Sequence, residues 1–240
     1  MADRVAVYFG TRKVYPMMTP ALKSMLAHTY VDRVYFFIED DAFPDMLPDI
    51  VRIRNVSGQQ YFKYNSPNYN TFFSYMVLLR AALPFMLPDE DKVLSIDNDT
   101  LVRRDIGSLF DTDISGHYYA AVQERYSIHG KVYFNNGVSL MNLRKLRDDC
   151  VAEQIIHNLN MYKYRWAEQD AFNDLCRGHI LNLPPHYNCA PNIIDGSDPS
   201  TCSIRHYCGV PAKQQYDNDA AQYRTMTWKE VFRRQEMNAV

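Results

Sequence analysis

The sequence predicts an α/β fold with a mostly parallel central sheet flanked by helices. Two observations predict it. Short apolar runs rich in β-branched and aromatic residues alternate with stretches that are apolar at helical spacing. Polar or acidic residues follow several of those runs at once, at the carboxyl ends of strands, where such sheets bind ligands.

Residues 4–9 (RVAVYF) read as a buried strand, with Gly10 and Thr11 as the turn after it. Residues 16–29 carry Leu22, Met25 and Leu26 at helical spacing, and Pro16 suits a first turn. Residues 34–38 (VYFFI) and 51–56 are the next strands, and Glu39, Asp40 and Asp41 end the former. A loop rich in Tyr and Asn spans 57–70. Residues 72–87 read as a helix with its core face on Met76, Leu79 and Leu83. Residues 93–96 (VLSI) form a strand that Asp97, Asn98 and Asp99 close. Residues 118–122, 138–141, 180–183 and 203–206 read as further strands, and 148–162 and 167–176 as helices. The chain divides into one domain over 1–215 and a helical tail over 216–240. Trp228, Val231 and Phe232 share one side of that tail, and Lys229, Arg233 and Arg234 the other. Acidic residues dilute its charge, so packing on the domain is favoured over a peripheral membrane contact.

Hydrophobic residues make up 47% of the chain and charged residues 22%, which supports a sizeable core and argues against disorder. The net charge of -2 argues against a nucleic-acid partner. The five cysteines are odd in number and form no CxxC pair. That pattern argues against a disulfide framework and a thiolate metal site, and for a reducing compartment. No run approaches the roughly 18 apolar residues of a spanning helix. The start, Met1 to Arg4, lacks the features of a secretory signal. The expectation is a soluble, cytoplasmic protein. No GxGxxG or GxxxxGK[ST] pattern occurs, so a bound nucleotide is held by other means.

The Asp97/Asp99 pair is one of several acid-x-acid triplets, among them Asp89/Asp91, Asp111/Asp113 and Asp217/Asp219. Those three lie in polar, turn-like stretches and read as solvated. Asp97 and Asp99 directly follow a buried strand. Residues two apart in extended chain point to one side, so the carboxylates converge and repel. A hard divalent cation such as Mn²⁺ or Mg²⁺ removes that penalty and keeps positions open for phosphate oxygens. The other reading is an Asx turn that closes the strand.

Four segments, in order, resemble glycosyltransferase family 8, the glycogenin and lipopolysaccharide galactosyltransferase family. They are KVLSIDNDTLVRRDIGSLF (92–110), FNNGVSLMNLRKLR (134–147), EQDAFN (168–173) and HYCGVPAK (206–213). The resemblance implies a GT-A type, Rossmann-like mixed sheet, a UDP-sugar donor, Mn²⁺ and retention of anomeric configuration. It implies that Asp97, Asp99 and His206 hold the metal. Phe9, Gly10, Thr11, Tyr15 and Asn98 fall at nucleotide-binding positions. Arg80, Gly209 and Lys213 face the donor, Lys213 at its pyrophosphate. Asn135, Asn136, Glu168, Gln169 and Asp170 fall at sugar-contacting positions, the last three as catalytic candidates. The acceptor is expected to be a glycan, glycoprotein or glycolipid, and a homodimer is left open.

The sequence departs from the family at three places. Glu168 replaces Asp, Asn136 replaces a small residue, and Val210 is inserted before Pro211, which shifts Lys213. A catalytically silent nucleotide-sugar binding module is the competing reading. A nucleotidyltransferase fits less well, because GTRK after the first strand has one glycine.

Overall fold

The structure is a computed structural model that describes residues 3–125, 130–193, 201–209 and 212–238, with backbone alone at 212 and 213. Among the described residues nine strands form two sheets. In chain order they are β1 (Val5–Gly10), β2 (Arg33–Ile38), β3 (Val51–Asn55), β4 (Lys92–Ile96), β5 (Thr100–Val102), β6 (Tyr119–Gln123), β7 (Phe134–Asn142), β8 (Ile180–Asn182) and β9 (Ile204–His206). The large sheet has the order β3-β2-β1-β4-β7-β6-β8, and β5 and β9 form a small second sheet. Pairing is parallel except for β4 with β7, β7 with β6, and β5 with β9. The predicted mixed, mostly parallel α/β architecture is therefore the observed one.

Helices cover both faces: α1 (Tyr15–Leu26), α2 (Leu83–Met86), α3 (Gly107–Phe110), α4 (Leu143–Asp148), α5 (Val151–Met161), α6 (Glu168–Leu175), α7 (Ala212–Thr225) and α8 (Trp228–Asn238). Strand alternation separates two cores. Ala6, Tyr8, Val34, Phe36 and Leu94 face the side that α1, α7 and α8 cover. Val5, Val7, Tyr35, Phe37 and Val93 face the side that α4, α5 and α6 cover. Both faces are buried, which is why these strands are continuously apolar.

The reversal of β7 sets up the functional edge. Strands β1, β2 and β4 run parallel, so their carboxyl ends share one edge. Ile96 of β4 pairs with Val138 of antiparallel β7, and the Asp97 N–H donates to the Gly137 carbonyl at 2.8 Å. The start of β7 and the end of β6 thus reach the same edge as Asp97.

Several local expectations change. The predicted helix over 72–87 is a 3-10 helix, Tyr75–Ala82, followed by the single turn of α2. Ser74 caps its start by accepting from the Met76 N–H, and Pro84 sits in the first turn of α2. The predicted helix over 148–162 breaks at Cys150, whose φ of 55° is left-handed. The tail is two helices, α7 and α8. Between them Thr227 and Glu230 form a reciprocal cap, each side chain accepting from the other's backbone N–H. The tail packs on α1, where the Tyr216 hydroxyl donates to the Met17 carbonyl, and reaches the loop after β2, where the Trp228 indole donates to the Met46 carbonyl.

Cysteine counting also misleads. Cys189 and Cys202 are joined, with Cα atoms 6.0 Å apart. The backbone of Cys189 bonds to Ile204 and His206 of β9, so tertiary pairing places the two sulfurs together. Spacing along the chain carries no trace of that. The inserted Val210 lies outside the described residues.

Phe36 is fully buried and packs edge-on against Tyr8. Phe36→Ala should lower stability by about 3–5 kcal/mol, read by urea denaturation.

Candidate functional site

The carboxyl edge of the sheet opens into a cavity of about 1130 Å³. Asp97 and Asp99 lie at its inner end, immediately after β4. His206 reaches them from β9, because β9 pairs with β5 and Thr100 lies opposite His206. The Tyr207 N–H donates to the Asp99 carbonyl at 2.8 Å and fixes that crossing. The His206 Nε2 lies 3.3 Å from Asp99 Oδ1 and 3.8 Å from Asp97 Oδ2. One ligand atom from each of the three residues falls within 4.8 Å of the others.

A chain of amides fixes which imidazole nitrogen is free. The Glu124 carboxylate only accepts, and it takes the Asn135 amide N–H at 2.9 Å. The Asn135 Oδ1 therefore accepts from the Gly137 N–H and from the Asn188 amide. That leaves the Asn188 Oδ1 to accept from His206 Nδ1 at 2.9 Å. In the neutral ring the proton sits on Nδ1, so Nε2 is the nitrogen that faces the two aspartates, as a metal-ligating imidazole requires.

Gly137 makes this possible. A Cβ there would come within 2.2 Å of the His206 ring. The His206 ring is buried, so it has no room to retreat.

Arg80 braces the other side. Its Nε donates to Ser95 Oγ at 3.0 Å, one amine donates to Asp97 Oδ1 at 2.6 Å, and the other donates to Glu168 Oε1 at 2.5 Å. Arg80 and Glu168 are both buried. Burial pushes Glu168 up to about 7, with Arg80 opposing and Asp97 assisting. Burial likewise raises Asp97 despite Arg80. Burial opposes the charge on Asp99 and His206 too, but their mutual attraction outweighs it. Asp99 is held below the usual carboxylate range and His206 above the usual imidazole range.

The inner end therefore gathers four carboxylates, Asp97, Asp99, Glu124 and Glu168, around one permanent cation, Arg80. Hard oxygen and imidazole ligands with an excess of negative charge fit a divalent cation. The donor set and the charge balance agree on that point.

The structure brings together Arg80, Asp97, Asp99, Asn135, Glu168, Gln169, Asp170, His206 and Gly209 on this cavity wall. Gln169 accepts from the Asn136 N–H and donates to Glu124. Asp170 accepts from Tyr133 and from the Trp166 N–H. Both amide ends of Asn135 are engaged inside the protein. Asn136 is buried and does not line the cavity.

Phe9, Gly10, Thr11, Tyr15 and Asn98 do not line it either. The Asn98 amide donates to the Phe9 carbonyl, tying the end of β1 to the aspartate loop. The Tyr15 hydroxyl donates to Asp40 at the end of β2. The Lys213 side chain lies outside the described residues.

Sequence reasoning missed Glu124, Asn188 and the role of Gly137. It also took Asp219 for a solvated acid. The Asp219 carboxylate instead accepts from Arg103 and from the Tyr207 hydroxyl, which links α7 to the residue after His206.

The description Glycosyl transferase family 8 belongs to the family model that matches residues 45–214. Glycosyltransferase GlyE of Streptococcus pneumoniae serotype 4 is 25% identical over 198 residues, 77% of this chain and 47% of that one. The lipopolysaccharide 1,2-glucosyltransferase of Escherichia coli K12 is 31% identical over 114 residues, 41% of this chain and 33% of that one. The chain spans about half or less of the length of several curated relatives it matches. The GlyE crystal structure superposes with a TM-score of 0.75 at 20% identity, over 100% of this chain and 64% of that one. The galactosyltransferase LgtC, solved with donor and acceptor sugar analogs, gives 0.68 at 22% identity, over 94% of this chain and 98% of that one. The fold is of the GT-A type that these proteins share.

Gly137→Ala should displace the His206 ring. We expect affinity for a divalent cation to fall about 10–100-fold and stability to fall by about 1–3 kcal/mol. Calorimetric titration of the ion and thermal melting of the same sample check both.

Proposed function

The chain belongs to glycosyl transferase family 8, and from that premise we propose a metal-dependent, retaining glycosyltransferase that uses a UDP-sugar donor. The observation that carries this is the Asp97, Asp99 and His206 group, with the His206 Nε2 facing both aspartates, opening into a large cavity. The proposed ion is Mn²⁺, with Mg²⁺ as the substitute. When bound, it neutralises the charge that develops on the departing diphosphate. Asp97, Asp99 and His206 hold it.

The protein's own groups do the rest. Arg80 cannot lose its proton, so it favours the charged form of Asp97 against burial and holds its carboxylate in place. The Phe9 to Tyr15 stretch, tied to Asn98, is proposed to border the nucleotide, and Lys213 to reach the pyrophosphate. Gln169 is held at both ends of its amide, so it positions the sugar rather than attacking it. Glu168 is held by Arg80 and, near pH 7, presents a partly protonated carboxyl. Asp170 is oriented by Tyr133. The transition state is expected to resemble an oxocarbenium ion, stabilised by this fixed field of carboxylates and amides. The acceptor is proposed to be a glycan or glycoconjugate hydroxyl.

The competing reading is a silent nucleotide-sugar binding module. It draws on the engagement of Glu168 and Gln169 by protein groups. A panel of UDP-sugars scored for Mn²⁺-dependent UDP release separates the two. Release from one donor is expected. UDP binding with no release from any donor would point to the silent module.

Asp99→Ala should lower that release about 100-fold or more. Asp113→Ala should leave it unchanged, because Asp113 lies on the surface in a turn with Ser115.

Mn²⁺ affinity should also depend on pH. The ion must displace the proton that Asp99 and Asp97 favour on His206. Affinity therefore falls as pH drops below the raised His206 pKa, by about tenfold per pH unit. Titrations between pH 6 and 8, a window set by the ordinary imidazole pKa of about 6.5, check the sign. A flat profile would remove His206 from the ligand set.

A further inference from the structure

We propose that the outer end of the cavity is an acceptor subsite for an anionic sugar, one that carries a carboxylate or phosphate. The proposal rests on the donor reading above, because it assumes that the diphosphate occupies the metal end.

The two segments that meet at the Arg80 and Glu168 ion pair continue outward and meet again. Phe73 precedes Arg80 on one, and Trp166 precedes Glu168 on the other. Their ring centroids are 6.1 Å apart with planes at 58°. Both rings line the cavity. Trp166 is anchored, since its backbone N–H donates to Asp170 Oδ2 at 2.8 Å. The Arg165 guanidinium lies 5.3 Å from its ring centroid. Phe72, next along, is 95% exposed and Trp166 41% exposed. Large exposed aromatics beside a cavity mark a binding surface. A pyranose ring fits one well, because its C–H face is apolar and its rim is polar.

Charge decides which sugar. Carboxylates gather around His206 and Arg80, whereas Lys131, Lys163 and Arg165 also line the cavity and are exposed. Among the described residues none of these three forms an ion pair. Lys163 donates to the Pro67 carbonyl, and Arg165 sits against the Trp166 ring. The acids nearby are already engaged: Asp174 pairs with Arg177, and Asp170 accepts from Tyr133 and Trp166. The exposed part of the wall therefore offers positive charge, with Arg165 against the aromatic platform, outside the buried Arg80 and Glu168 pair. An acidic substituent on a stacked sugar matches both features.

The chain has two tryptophans, so fluorescence that is lost in Trp166→Phe reports on this wall. Wild-type protein, with Mn²⁺ and UDP present, is titrated with glucuronic acid, glucose 6-phosphate and glucose. Calorimetry of UDP runs on the same samples. We expect one of the acidic sugars to perturb Trp166 at least about tenfold more tightly than glucose, with the carboxylate and phosphate arms identifying the anion. The preference should weaken with salt and shrink about tenfold in Lys131→Ala/Arg165→Ala, both positions being surface side chains. Equal affinities, no response to any of the three sugars, a preference untouched in the double variant, or a Trp166 response to UDP alone would each overturn the proposal. UDP binding without a response to acidic sugars leaves the donor reading standing. A response without UDP binding overturns the donor reading instead.

Discussion

Arg80 places a permanent positive charge in the interior between Asp97 and Glu168, and the inner end of the cavity is organised around it. A guanidinium in that position cannot be neutralised by losing a proton. It is tolerable only because two carboxylates and Ser95 satisfy it on separate edges. Those carboxylates are in turn fixed in direction. Asp97 is left with one oxygen toward His206, and Glu168 with its chain folded back on the 3-10 helix. Removing Arg80 would leave the buried acids in mutual repulsion. Its charge therefore both permits and limits the negative field at this edge.

The backbone supplies the second constraint. A wholly parallel sheet would bring strand ends of one kind to this edge. Reversal at β7 adds a strand beginning, Asn135 to Gly137, directly beside the aspartate loop. Return of β6 beside β7 adds Glu124. The β5 and β9 pair then lays His206 across the opening. Each group in the amide relay from Glu124 to His206 comes from a different element, so the free imidazole nitrogen is a property of the whole edge.

Much of the frame can be read from the chain. The apolar runs of β1, β2 and β4 are buried on both faces, which is what makes them stand out. Asp97 and Asp99 are legible for the same reason, because a carboxylate pair hard against such a run is physically awkward. His206, Asn135 and Gln169 stand out only through resemblance to the family. Glu124 and Asn188 carry no local signal at all. Their meaning rests on which strands lie side by side, which depends on contacts distant in sequence. Gly137 is visible as a glycine in a strand, but the ring it admits comes from β9. Cys189 and Cys202 are hidden in the same way. The 3-10 helix at 75–82 keeps an apolar pattern close enough to an α-helix that periodicity does not separate them.

The pairing of Thr100 with His206 has a bearing on biosynthesis. The two aspartates emerge from the ribosome well before the histidine, and Asn188 and Cys189 emerge between them. Until β9 docks on β5, the two aspartates lack the imidazole that lies beside them in the folded chain. The three-residue group is thus complete only once β9 has been made and has paired with β5.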